Sequence, residues 1–293
     1  MMGEGKAGVM ATGTPTLVGL PVGRRGVGPG MRFYGEVARR SFRRQLAYPA
    51  ANLAGMATNT FWGVVRAAIF TAIFTVRPHA AGYTLTTALT YGWLTEALLM
   101  VVVLWGWTEV AEAVRTGDLV TDMARPYHYQ TYWLCRDLGR ALFFVLFRAA
   151  PIVVIAAMVY PFAPPRDPLA GVLFLVSAAL GVVVSFAWRF LVNLTAFWTT
   201  DVRGVAAMAG LVGVFFSGDQ MPLAFLPAGL RAVAGALPFP SMVAVPMDVY
   251  LGRTIGLQAL LALAGQAAWA VALLALGRWV LALGYRTVAA HGG

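Results

Sequence analysis

Polar and apolar positions are not interleaved along most of this chain; they come in blocks. Six stretches, at about 50–76, 83–107, 140–162, 169–198, 205–217 and 255–283, are continuously apolar and rich in Leu, Ala and Val. Most hold roughly 20 or more such residues, enough for a helix to cross a hydrocarbon layer of ~30 Å. They do not alternate with period two, and they are far longer than strands. A chain with this pattern must satisfy its own backbone inside lipid, which leaves helices or a closed barrel, and continuous runs select helices. The pattern predicts an all-α polytopic membrane protein of six transmembrane helices, with both ends on one side.

Ahead of the first run, Tyr34, Ala38, Phe42 and Leu46 recur every fourth residue, and Arg32, Glu36, Arg39, Arg40 and Arg43 fill the other face. Residues 31–49 therefore read as an amphipathic helix lying in the membrane surface, with Arg39, Arg40, Arg43 and Arg44 turned to lipid phosphates. Residues 1–30 carry prolines at 15, 21 and 29 and many glycines without apolar period, and read as a disordered tail; Met31 is itself a candidate initiation residue. The remainder, 50–293, is the membrane domain. Within it, 221–250 stays apolar despite prolines at 222, 227, 238, 240 and 246. Proline interrupts helices, so short broken helices re-entering from the outer face are expected there.

Charge fixes the orientation. Charged residues make up only 12% of the chain, against about a quarter in soluble domains, and the net charge of +10 is almost all arginine, Lys6 being the sole lysine. With the N-terminus cytoplasmic, fifteen Lys and Arg fall in inner segments and four (Arg77, Arg166, Arg231 and Arg253) in outer ones. That asymmetry puts both termini inside, and it accounts for the basic excess better than a nucleic-acid surface would. Cys135 stands alone, so neither an intrachain disulfide nor a cysteine metal cluster is available. Histidines at 79, 128 and 291 are too scattered for a catalytic or metal set. The sequence GEGKAG around Lys6 lacks the Ser or Thr of a phosphate-binding loop, so ATP hydrolysis has no place in this chain.

The polar block 108–139, TEVAEAVRTGDLVTDMARPYHYQTYWLCRDLG, interrupts the apolar pattern most sharply. Glu109, Glu112 and Arg115 share one helical face and Val110 and Val114 a neighbouring one. A short amphipathic helix continuing the second span is expected, stopping near Gly117, with a second segment opened by Asp118 and Asp122 and closed at Arg125-Pro126. Aromatics at 127, 129, 132 and 133 suit a lipid interface.

The order E-x-x-E-x-x-R-T-G-D-L-x-x-D-x-x-R-P in Glu109–Pro126 resembles the loop between spans two and three in permease subunits of ABC type-2 exporters. Arg189–Gly204, RFLVNLTAFWTTDVRG, and Ser217–Phe239, SGDQMPLAFLPAGLRAVAGALPF, are similar to the fourth span with its exit and to the fifth span with its outer helices in the same family. The resemblance covers about residues 31–290. It implies a permease of the bacterial cytoplasmic membrane, paired with a second permease of the same or a different chain. Two ATPase subunits holding ATP and Mg would drive export of a drug-like amphiphile, other small molecule or lipid. On that reading 108–139 is the coupling loop, and Glu109, Glu112, Asp118 and Arg125 are its candidate contacts.

Within the apolar runs lie Arg66, Glu96, Arg148 and Arg189. Each costs at least ~2.5 kcal/mol at the bilayer centre, and such groups pair or face a pathway. Glu96, Arg66, Arg189 and Asp219, the last at the outer break of span five, are the candidate substrate pathway. Ala206, Gly210 and Gly213 give span five a small-residue face suited to close packing, across a permease dimer or within one subunit. The alternative function is a stand-alone ion-coupled transporter, which calls for internal repeats and matching broken helices in both halves. The breaks here cluster before the last span only.

Overall fold

The computed structural model describes residues 30–291 other than Ala124 and Thr200, so the expected tail, apart from Gly30, lies outside the described residues. In chain order the elements are α1 (Met31–Leu46), α2 (Pro49–Val76), α3 (Leu85–Val102), α4 (Glu109–Thr116), α5 (Asp118–Met123) and α6 (Tyr129–Phe144). A π-helical turn, Val145–Ala149, joins α6 to α7 (Ala150–Val159), and α8 (Pro168–Leu194) runs into a 3-10 turn. Then come α9 (Arg203–Ser217), α10 (Ala228–Gly235), α11 (Ala244–Tyr250) and α12 (Leu257–His291). The described residues contain no strand, only an isolated bridge between Ala80 and Tyr83.

Five of these units are long and apolar enough to cross a membrane: α2, α3, the α6–α7 rod, α8 with its 3-10 turn, and α12. The chain is an all-α multi-pass membrane protein. The expected fifth run is the exception in length. At 15 residues α9 is about 22 Å long, short of the hydrocarbon layer. It stops because Gly218 takes the left-handed conformation at φ 86°, a conformation that favours glycine.

The other ends follow local chemistry too. Thr84 and Thr87 form a reciprocal capping box at the start of α3. Asp167 accepts the Ala170 N–H at 2.7 Å to start α8, and Pro49 and Pro168 occupy first helical turns, where the missing N–H costs nothing.

α3 is the centre of the bundle, buried on nearly all sides. Gly63 of α2 admits the Trp93 ring, and Gly92 lies against the Arg66 methylenes and Phe70. The span expected over 83–107 ends at Val102 because side chains take its last carbonyls. Arg140 donates to Met100 O and Val101 O at 2.6 and 2.9 Å. Ser185 Oγ lies 2.6 Å from Val102 O and 2.7 Å from Val103 O. Val103 turns to φ 51° and Gly106 to φ 80°, so α4 is a separate helix and not a continuation of α3.

α8 and α12 pack along one another, joined by a polar clamp inside the apolar core. Gln266 is fully buried; it accepts from Ser177 Oγ at 2.8 Å and donates to the carbonyls of Ser177 and Ser241. The small-residue face of α9 is used within the subunit: Gly210 lies against Trp105 and Gly213 against Phe239. The apolar stretch 221–250 is broken as its prolines predict, into 3-10 turns and the short helices α10 and α11. At this end Arg253 pairs with Asp248 at 3.3 Å, donates to Gly82 O at 3.1 Å and stacks on Tyr83.

α1 is amphipathic, and the middle of its apolar face packs on α6 while Leu46 stays exposed. Gly139 lets the Ala38 backbone come into direct contact, Ser41 donates to Arg136 O at 2.6 Å, and Phe42 packs on Phe143. Tyr129 and Trp133, expected at a lipid interface, are instead buried with Phe186, Phe190 and Leu194.

Candidate functional site

Two polar constellations interrupt the apolar bundle, one at the end carrying α4 and α5, the other between the spans.

α4 starts with Glu109 and Glu112 in its first turn and ends with Arg115 and a left-handed Gly117, charges that suit the helix dipole. Its Val110 and Ala111 are buried against α8, and Leu119 of α5 joins the same cluster. Asn193 of α8 fixes the helix. Its Oδ1 accepts the Ala111 N–H at 2.9 Å, and its Nδ2 donates to Trp107 O and Arg189 O at 2.9 and 2.8 Å. Glu109 makes an ion pair with Arg136 of α6. α4 is thus tied to two spans at once.

The opposite faces of α4 and α5 are open. Glu112 and Arg115 pair with each other at 2.8 Å while remaining more than half exposed. Asp118 accepts from Thr116 Oγ1 at 2.7 Å, and Arg125 pairs with Asp122 at 3.3 Å. Tyr127 donates to Asp122, and burial together with that bond pushes its phenol up to about 12. Beside α4 a cavity of 280 Å³ is lined by Glu112, Arg115, Asp201 and Arg203; hydrogen bonds from Arg203 hold the Asp201 carboxyl below its usual range. A wider groove of 710 Å³ runs between α1 and 125–136, lined by Arg40, Arg44, Arg125 and Arg136 together with Phe33 and Tyr127. Arg39 and Arg40 both bond to Glu36, lowering its carboxyl from the usual value, while Arg43 and Arg44 stay exposed.

Of the expected substrate-pathway residues, Arg66 and Glu96 form a pair at 3.2 Å, nearly closed from solvent. Asn59 donates to the Glu96 backbone carbonyl, and one oxygen of Glu96 and one nitrogen of Arg66 have no hydrogen-bond partner. Asp219 is buried in the turn after α9, where its carboxylate accepts from Gln220 and its N–H donates to Ser217 Oγ, and the Tyr91 hydroxyl donates to the neighbouring Gly218 O at 2.6 Å. Arg189 belongs elsewhere. It pairs at 2.8 Å with Asp137, which also takes Arg140 at 2.8 Å, directly beneath α4.

Asp137, Asn193 and Arg136 are the residues that sequence reasoning missed here. Asp137 read as part of a solvated loop because the third helix was expected to start only at 140. Its spacing of three from Arg140 was the available signal. Asn193, polar inside an apolar run, offered the same kind of clue.

The family described as ABC-2 family transporter protein matches residues 61–292, which takes in every span except the first turns of α2. No curated protein matches the chain. With the match covering most of the sequence and the fold made of membrane-spanning helices, the chain belongs to the ABC-2 family of transporter proteins.

Proposed function

We propose that this protein is the permease subunit of an ATP-driven exporter in a bacterial cytoplasmic membrane, with both termini and α4–α5 on the cytoplasmic side. The observation that carries the reading is the build of α4. One face is locked to the spans by Asn193 and by the Glu109–Arg136 pair, and the other presents Glu112 and Arg115 outward beside Asp118. A helix that only solvated a loop would need no such ties. Fixed in this way, α4 passes a displacement to α8 and α6 without the loop absorbing it. The partner ATPase supplies the ATP and Mg chemistry; Glu112, Asp118 and Arg125 are the contacts it would meet, and Glu109 acts inward by holding α4 to α6. A second permease of this fold completes the transport unit. The Arg66–Glu96 pair and Asp219 lie on the substrate path between α2, α3 and the end of α9. Amphiphilic small molecules or lipids are the cargo class that the apolar surroundings of these charges favour.

Co-purification from the native host tests the docking face. Wild-type chain in mild detergent is expected to bring down an ATPase with a phosphate-binding loop, and Glu112→Lys with Asp118→Lys is expected to lose it while the chain stays folded. ATPase recovery undiminished by both changes would move the docking surface off α4–α5. Wild-type chain that is folded and comes down without any ATPase would overturn the exporter reading.

A further inference from the structure

Arg148 is an exception among the arginines buried in the spans. Arg66 has Glu96, and Arg140 and Arg189 share Asp137. Among the described residues Arg148 has no carboxylate within ion-pair distance, although it is 6% exposed and its Nε and Nη2 lack any hydrogen-bond partner. An intramembrane cation left without a counter-charge is costly and is retained where something compensates it.

Its setting is specific. Arg148 sits in the π-helical turn Val145–Ala149, where one extra residue in the turn re-aims the side chains, a distortion frequent at functional positions. The guanidinium crosses to α2 and rests on Gly55, where a Cβ would collide with Nη2. The Phe144 ring, 5.1 Å away, covers another side. α2 packs mainly on α3 and α1, so the side chain of Arg148 bridges a lateral seam between α2 and the α6–α7 rod. A carboxylate from a second chain would have to enter that seam to reach it, whereas the head of a lipid-like molecule can slide in from the bilayer.

We infer that Arg148 binds the anionic head, a phosphate or carboxylate, of an amphiphile lodged between α2 and the α6–α7 rod. A planar guanidinium with two unpartnered donors suits two oxygens of one such head, and because both donors are covered the seam has to widen to admit it. That the amphiphile is cargo rests on the exporter reading; the binding does not.

The test uses the full chain in nanodiscs of mixed phosphatidylcholine and phosphatidylglycerol, with retained lipid counted by native mass spectrometry. Wild type is expected to keep one phosphatidylglycerol in preference to phosphatidylcholine by about tenfold, the scale of a charge-assisted hydrogen bond. Arg148→Gln loses that one lipid and Arg148→Lys keeps part of the preference. Gly55→Ala, which pushes the guanidinium aside without changing charge, weakens it and decides the matter if Arg148→Gln does not fold. Arg44→Gln, on the exposed face of α1, leaves this lipid in place. Displacement by added dodecyl phosphate identifies the site as one for free anionic amphiphiles; persistence identifies it as a resident lipid site. No preference in wild type, or the same retention in wild type and in folded Arg148→Gln and Gly55→Ala, would overturn the inference. ATPase recovery measured on the same host membranes separates this failure from failure of the exporter reading.

Discussion

At the scale of single residues, the structure rests on a few polar groups placed where water is absent. Asp137 is the sharpest case, since one buried carboxylate neutralises both Arg140 and Arg189. Asp137→Asn strands two cations, and breaking a buried pair from one side costs about 3–5 kcal/mol. Unfolding in detergent is expected to move by that order, and Asp137→Leu combined with Arg189→Met is expected to recover part of the loss, because the second cation is removed with the first anion. An unchanged unfolding curve for Asp137→Asn would mean that the arginines reach water. Asn193→Leu removes the acceptor for Ala111 N–H and the donor to Trp107 O, leaving a buried N–H unpaired at about 1–3 kcal/mol. Trypsin cleavage at Arg115 is expected to quicken in that variant, with the spans themselves intact; unchanged cleavage would show that Asn193 does not hold α4.

At the scale of elements, close approach and buried clamps decide which helices move together. Gly139 lets α1 lie directly on α6, and the contact a Cβ would make there is with the Ala38 backbone, which cannot rotate away. Gly139→Val is therefore expected to lift α1 and expose the 31–46 segment to proteolysis, whereas Gly35→Ala, in open space, leaves α1 seated on α6. Gln266→Leu leaves Ser177 and the Ser241 carbonyl unpaired between α8 and α12, a loss of about 1–3 kcal/mol visible as a lower melting temperature. Most elements were legible from sequence because apolar runs of this length have one solution in lipid. The boundaries were not. α3 stops at Val102 because Arg140 and Ser185, distant in sequence, take its carbonyls, and no local signal reports that. Likewise the small-residue face of α9 was visible, but only the fold shows that Trp105 and Phe239 of the same chain fill it.

At the scale of the molecule, the sequence showed a polar block between two apolar runs and a likeness to one transporter family; the block folds into α4 and α5, and the family match covers residues 61–292. What it could not show is which charges meet. Arg66 and Glu96 lie 30 positions apart yet touch, while Arg189, grouped with them by hydropathy, turns to Asp137 at the α4 end. Hydropathy ranks depth and not direction, so charges at similar depth look equivalent until the helices are placed. The fold sorts them into a pair inside the spans, a triad under α4, and Arg148 alone at the seam. A coupling surface at one end, tied through Asn193 to the spans, is the central claim drawn from that sorting. Photo-crosslinking in native membranes tests it most directly, with a crosslinking side chain at position 115 of α4 or, as the control, at position 253 near the other end. The account predicts that position 115 captures the ATPase from the cytoplasmic side and position 253 does not. Capture from position 253 alone would invert the orientation and contradict the coupling role of α4.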